Sequence, residues 1–193
     1  MVRRLLGAII AIALALIPQV QVKGQDYTVD QSGDVVVAMV VEGLALQRQD
    51  IYNAALKYLE NAYKETKYKI VVKSLENGVV AGEGEYLQFH EDRIFPSSYF
   101  LNAPFTLKID AKDGRARISV ILSYYTGKRT NINESEDIHD RISLFYPFNK
   151  KQTKRRSLYN AAFPVLYKKA LKTLSEVEEV LKSTRSSAPD TDW

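Results

Sequence analysis

The chain has 193 residues, 46% of them hydrophobic and 26% charged, with a formal net charge of +4 and no cysteine. That length suits one domain able to bury a real core and leaves a second domain unexpected. The missing cysteine excludes disulfide staples, thiol chemistry, thiolate metal sites and a lipidated N-terminal cysteine.

Residues 1–24 read as a secretory signal peptide: Arg3 and Arg4 precede thirteen uncharged residues, Leu5 to Ile17, and a polar stretch ends in Val22-Lys23-Gly24. A spanning helix needs roughly 18 or more apolar residues, and Pro18 stops this run early, so cleavage before Gln25 is expected over an uncleaved anchor. The product is then exported, periplasmic or extracellular, with no stable membrane anchor. Losing Arg3, Arg4 and Lys23 leaves 24 basic against 23 acidic residues, close to neutrality. A nucleic-acid partner is thereby excluded.

Residues 25–34 are polar and read as a flexible leader. Val35 to Val41 is an uninterrupted apolar run of strand length. Asp50 can cap a helix whose apolar residues Ile51, Ala54, Ala55, Tyr58, Leu59, Ala62 and Tyr63 recur at helical spacing. Tyr68 to Leu75 and Val79 to Leu87 predict a hairpin across Asn77-Gly78, with a bulge at Gly82 or Gly84. Gln88 to Ala103 mixes Phe89, Phe95, Tyr99 and Phe100 with Pro96, serines and Asn102 without a period, and reads as an aromatic loop.

Phe105 to Ala111 and Arg115 to Thr126 alternate on either side of Lys112-Asp113-Gly114, a second hairpin. Gly127 to Asp140 reads as a charged, Asn-rich loop, and Ile142 to Phe148 as a short strand or none. From Ser157 the pattern is helical: Leu158, Ala161, Ala162, Val165, Leu166, Ala170, Leu171, Leu174, Val177 and Leu181 form one face. Pro164 predicts a kink near Asn160 or a start near Phe163. Residues 35–183 thus make the domain, and 184–193 a frayed tail.

No catalytic constellation emerges, and the chain reads as a non-enzyme without cofactor or metal. His90-Glu91-Asp92-Arg93-Ile94 lacks the second histidine of a zinc-protease helix. Glu136-Asp137-Ile138-His139-Asp140 gathers carboxylates and an imidazole but reads as a solvated acidic loop. No nucleophile elbow or phosphate loop is present, and Asn133-Glu134-Ser135 reads as a chance glycosylation pattern. Two features could form an interaction surface: the loop aromatics Phe95, Tyr99 and Phe100, and the basic cluster Lys150, Lys151, Lys154, Arg155 and Arg156. The cluster could meet anionic headgroups or an acidic partner, or be a solvated linker balanced by Glu176, Glu178 and Glu179. The twelve tyrosines read mostly as core, although Tyr52, Tyr58 and Tyr63, or Tyr99 with Phe95 and Phe100, could line an apolar pocket.

The residues also resemble a family. Gly43-Leu44, Asp50 to Leu59, Tyr68 to Lys73, Gly82-Glu83-Gly84, and Phe105 to Arg117 together look like the exported Bacteroidetes domain of unknown function 4468. The similarity spans roughly Val35 to Tyr125 and departs from the family in the long C-terminal helix and the aromatic loop. It implies a TATA-binding-protein-like (TBP-like) α+β fold, β-α-β-β-β-β-α, with an antiparallel sheet of five strands carrying both helices on one face. It brings no catalytic residues. Relatives of this fold leave a ligand cavity under a long helix, so a carrier of a small apolar ligand stands as the alternative to a module that binds an envelope protein.

N-terminal sequencing of the protein recovered from expressing cells should begin at or near Gln25. Intact Met1 in carbonate-washed membranes would instead identify an anchor.

Overall fold

The computed structural model describes residues 27–64 and 69–185, without the side chains of Tyr63 and Lys64. The signal peptide with its cleavage point before Gln25, the Tyr63 side chain and tail residues 186–193 lie outside the described residues. In chain order the elements are β1 (Tyr27–Val29), β2 (Val35–Glu42), α1 (Arg48–Lys64), β3 (Lys69–Ser74), β4 (Val79–Ile94), β5 (Ser97–Lys112), β6 (Arg115–Leu122), β7 (Tyr124–Thr130), β8 (Ser135–Arg141) and α2 (Arg156–Ser183).

They build one antiparallel sheet ordered β1-β2-β6-β5-β4-β3, with β7 beside the first half of β5 and β8 beside β7. Its helix-facing side is apolar because alternate residues of a strand share a face: Val35 and Val37 on β2, Leu107 and Ile109 on β5, and Ile118 and Val120 on β6 are all buried. Both helices cover that side. Helix α1 seats Ile51, Tyr52, Ala55 and Leu59 there, and α2 lays down Leu158, Ala162, Leu166, Ala170, Leu174, Val177 and Leu181. The α+β, TBP-like arrangement read from the sequence is the one observed.

Among the described residues the sheet nevertheless has eight strands where five were expected. The segment read as a flexible leader holds β1, and Tyr27 is buried edge-to-face against Phe148, Phe163 and Tyr167. One buried aromatic ring fixes a segment that polar neighbours disguise. The segment read as an aromatic loop is the far half of the β4–β5 hairpin, closed at Phe95-Pro96. Its period is hidden by a bulge between Tyr86 and His90, where Gln88 takes a left-handed φ of 41°. The segment read as an Asn-rich loop is the β7–β8 hairpin, whose turn is held by the Asn131 side chain accepting from the Asn133 and Glu134 amides at 2.9 and 2.7 Å. Only Ile138 of β8 is buried, so no apolar alternation marks the strand.

The single strand expected over 115–126 breaks at Ser123 into β6 and β7. Gly127 lets β7 return to β5: with φ of 139° it lies so close that a Cβ would collide with the Phe100 carbonyl. Helix α1 begins two residues before Asp50, and its Arg48 amide donates instead to Asp113 Oδ1 of the β5–β6 turn at 2.7 Å. The bulge expected at Gly82 or Gly84 of β4 lies instead in the partner strand, where β3 shifts register between Ile70 and Val72 opposite Gly82 and Ala81. Helix α2 starts at Arg156 and runs through Pro164. Pro164 and Asn160 are both exposed, so water can take the Asn160 carbonyl that loses its helical donor. Ala161 and Val165, expected on the buried face, turn outward.

Ile118 is fully buried between Met39 of β2 and Ile109 of β5. Ile118→Ala should cost about 2–4 kcal/mol, lowering the melting temperature by roughly 4–16 °C. Val40→Ala, on the opposite face and 58% exposed, should shift it little in the same calorimetric scan.

Candidate interaction site

The first half of β5 pairs on one side with the end of β4 and on the other with β7, Ser98 lying opposite both Arg93 and Thr130. The Phe95-Pro96 turn and the 131–134 turn therefore close neighbouring hairpins at the same end of the sheet. Each tip carries a large apolar residue in water: Phe95 is 97% exposed and Ile132 94%. Tyr99 and Phe100 are half-buried on opposite faces of β5, Tyr99 against the core beneath the helix side.

On that helix side an open cleft of about 630 Å³ separates the hairpin from the start of α2. Ile94 and Tyr99 form one wall; Tyr146, Thr153, Arg155, Arg156, Ser157 and Asn160 form the other. The basic cluster divides here. Arg155 turns inward, its side chain only 8% exposed, and pairs with Asp140 at 2.5 Å and Glu136 at 2.7 Å. Tyr159 donates its hydroxyl to the same Asp140 oxygen at 2.5 Å. Arg155 takes a left-handed φ of 53° at the residue before the helix, a conformation costing about 1–2 kcal/mol for a side-chain-bearing residue, which these bonds hold in place. Lys150, Lys151, Lys154 and Arg156 stay exposed, Arg156 lying 5.0 Å over the Tyr146 ring.

The inner network holds fixed charges. Burial alone would pull the Arg155 guanidinium down, but the hydrogen bond and charge of Asp140, with Tyr159 and Glu136, carry it above its ordinary value. Burial and the bond to Asp140 likewise raise the Tyr159 hydroxyl. The hydrogen bond and charge of Arg155, with a smaller share from Arg129, lower the Glu136 carboxyl. None of these groups is poised to exchange protons near neutrality.

The remaining candidates disperse. Strand alternation separates Glu136, Ile138 and Asp140 from Asp137 and His139, and His139 stands edge-on to Tyr124 at 4.4 Å. His90 sits on a strand, not a helix. Among the tyrosines, Tyr125 and Tyr159 stack at 4.4 Å in the core beneath α2, and Tyr52 is buried. Tyr58 lines a second open cleft, of about 710 Å³, between α1 and the end of α2. Glu176 and Glu178, read as balancing the basic cluster, pair within α2 with Lys172 and Lys182. Sequence reasoning missed Ile132 and Tyr146, and it read Asp140 as part of a solvated loop where it anchors Arg155 and Tyr159. An isolated isoleucine among asparagines was the available signal for Ile132; the roles of Tyr146 and Asp140 depend on the fold.

Residues 39–125 match the profile of a family described as a domain of unknown function (DUF4468) with TBP-like fold. A TBP-like protein from Parabacteroides distasonis superposes with a TM-score of 0.59 at 12% identity, covering 81% of this chain and 97% of that one. A DUF4468 family protein from Bacteroides ovatus does so with a TM-score of 0.52 at 16% identity, over 84% and 91%. At such identities the likeness speaks for the fold alone. The comparison with curated proteins finds no match.

Asp140→Ala leaves a buried guanidinium and a tyrosine hydroxyl without their shared acceptor, and should cost about 3–5 kcal/mol in urea unfolding. Asp140→Ala with Arg155→Met, which removes both charges, should recover much of that loss. Glu136, half-exposed, should contribute under about 1 kcal/mol. Because its folded carboxyl is lowered, this share is present above the ordinary carboxylate range and lost as pH falls through the folded value. Glu136→Gln should therefore flatten the acid limb of the stability profile.

Proposed function

We propose that this chain, whose residues 39–125 carry the DUF4468 match on a TBP-like fold, is an exported, non-enzymatic interaction module that binds through its two hairpin tips and the neighbouring basic cluster. The observation that carries the reading is the pair Phe95 and Ile132, both more than nine-tenths exposed on adjacent turns. Large apolar side chains held in water at the ends of well-paired strands gain nothing for the fold, and covering each by a partner would recover about 1.5–3 kcal/mol. The filled interior supports a module over a carrier of a small apolar ligand. The α2 residues from Leu158 to Leu181 that face the sheet are almost wholly buried, and the clefts at the two ends of α2 are open to solvent and could not enclose a ligand.

Export and the binding surface can be tested together. A photo-crosslinking residue placed at Phe95, in the full chain expressed in its native cells, should form adducts in the envelope fraction. The same residue at Glu42, at the opposite end of the sheet, should not. Equal labelling at both positions, or none at Phe95, would overturn the surface.

A further inference from the structure

We propose that the partner of this surface is a membrane: the tips of β4–β5 and β7–β8 dock on a bilayer bearing anionic phosphate headgroups. This rests on the interaction surface argued above and names what it meets. Three observations carry it. First, the apolar residues sit singly on two adjacent convex turns, Phe95 and Ile132, instead of forming the flat or concave apolar centre that a protein partner would desolvate. Two projecting side chains suit the boundary between headgroups and acyl chains.

Second, the basic stretch leading into the cleft wall opposite Ile94 and Tyr99 carries exposed cations, while Glu91 and Asp137 are exposed acids further along the two hairpins. Lys150, Lys151, Lys154 and Arg156 are exposed, and the lysines have no ion-pair partner among the described residues. Arg155 and Arg129 meanwhile neutralise Glu136 and Asp140. Each lysine near an anionic leaflet adds about 1 kcal/mol of attraction, or about fivefold in binding. Glu134 shares a turn with Ile132 and opposes this.

Third, the two hairpins are joined side by side through β5, Ser98 pairing with both Arg93 and Thr130, so little ordering is lost on contact. No helix among the described residues is long and apolar enough to cross a membrane, and the attachment proposed is peripheral. A few inserted side chains and a small basic cluster give reversible binding.

Sedimentation with phosphatidylcholine vesicles, with and without phosphatidylglycerol, tests the inference on the full chain after its N-terminus has been sequenced, all variants sharing that N-terminus. The wild type should partition onto the anionic vesicles and leave them in high salt. Phe95→Asp with Ile132→Asp, and separately Lys150→Glu with Lys154→Glu, should each weaken partition about tenfold or more. Glu134→Lys should strengthen it. All of these positions are exposed, so the melting temperature should hold and confirm that the variants are folded. Absent binding by the wild type, or a double tip variant that binds as well as the wild type, would overturn the membrane proposal. If Phe95 then crosslinks only to protein, the surface stands with a different partner; if it crosslinks to nothing, both readings fail.

Discussion

The molecule is organised around β5, one unbroken strand that serves three partners along its length. Its second half pairs with β6 and with the first half of β4, over the part of the sheet that the helices cover. Its first half pairs with β7 and the end of β4, carrying the sheet out to the Phe95 turn. Interior residues alternate from Leu101 to Ala111 without interruption, so the register that buries the core also fixes how far the tips project. A one-residue slip would place those residues in water and move both turns.

Where β6 gives way to β7 at Ser123, two flanking strands meet end to end: β2 begins beside Leu122, and β8 finishes beside Tyr124. Arg141 closes this junction, its guanidinium bonded to the Ser32 carbonyl and paired with Asp34 at 2.8 Å. Higher up, Asp140 on the same strand holds Arg155 and Tyr159 at the start of α2. Consecutive residues of β8 point to opposite faces, so one short polar strand secures the first hairpin with one side chain and the last helix with the next. Burying Arg155 also sorts the basic cluster: one cation becomes structural, and those around it remain in water.

How legible this was follows from where the apolar signal lies. Strands β2, β3 and β6 and both helices announce themselves through runs or periods of Val, Ile, Leu and Ala. Strand β8 buries only Ile138 and owes its place to partners, and β1 owes its place to Tyr27; neither leaves a period to read. In the long hairpin the bulge at Gln88 shifts register midway, so the aromatic residues look aperiodic although each lies on a strand or its turn. At the surface, Phe95, Tyr99 and Phe100 could be singled out as a group, but their separate fates follow from strand parity and a turn. That Arg155 is buried while Lys154 and Arg156 are exposed depends on a left-handed backbone and on a carboxylate fifteen residues upstream. A string of like charges carries no mark of that difference.

The Tyr27 ring has a consequence for the order of events in folding. The first described residue packs against Phe163 and Tyr167 in the last helix, and Tyr58 of α1 bonds Glu176 in the same helix at 3.3 Å. These contacts join the two ends of the domain, and their closure requires the intervening chain to be present. A chain emerging residue by residue from a narrow conduit can form the β4–β5 and β5–β6 hairpins early. Until α2 is out, however, only α1 can cover the apolar face those hairpins create. Contacts of such high sequence separation slow the final collapse, and the partly covered sheet is in the meantime the species most exposed to aggregation or to a chaperone.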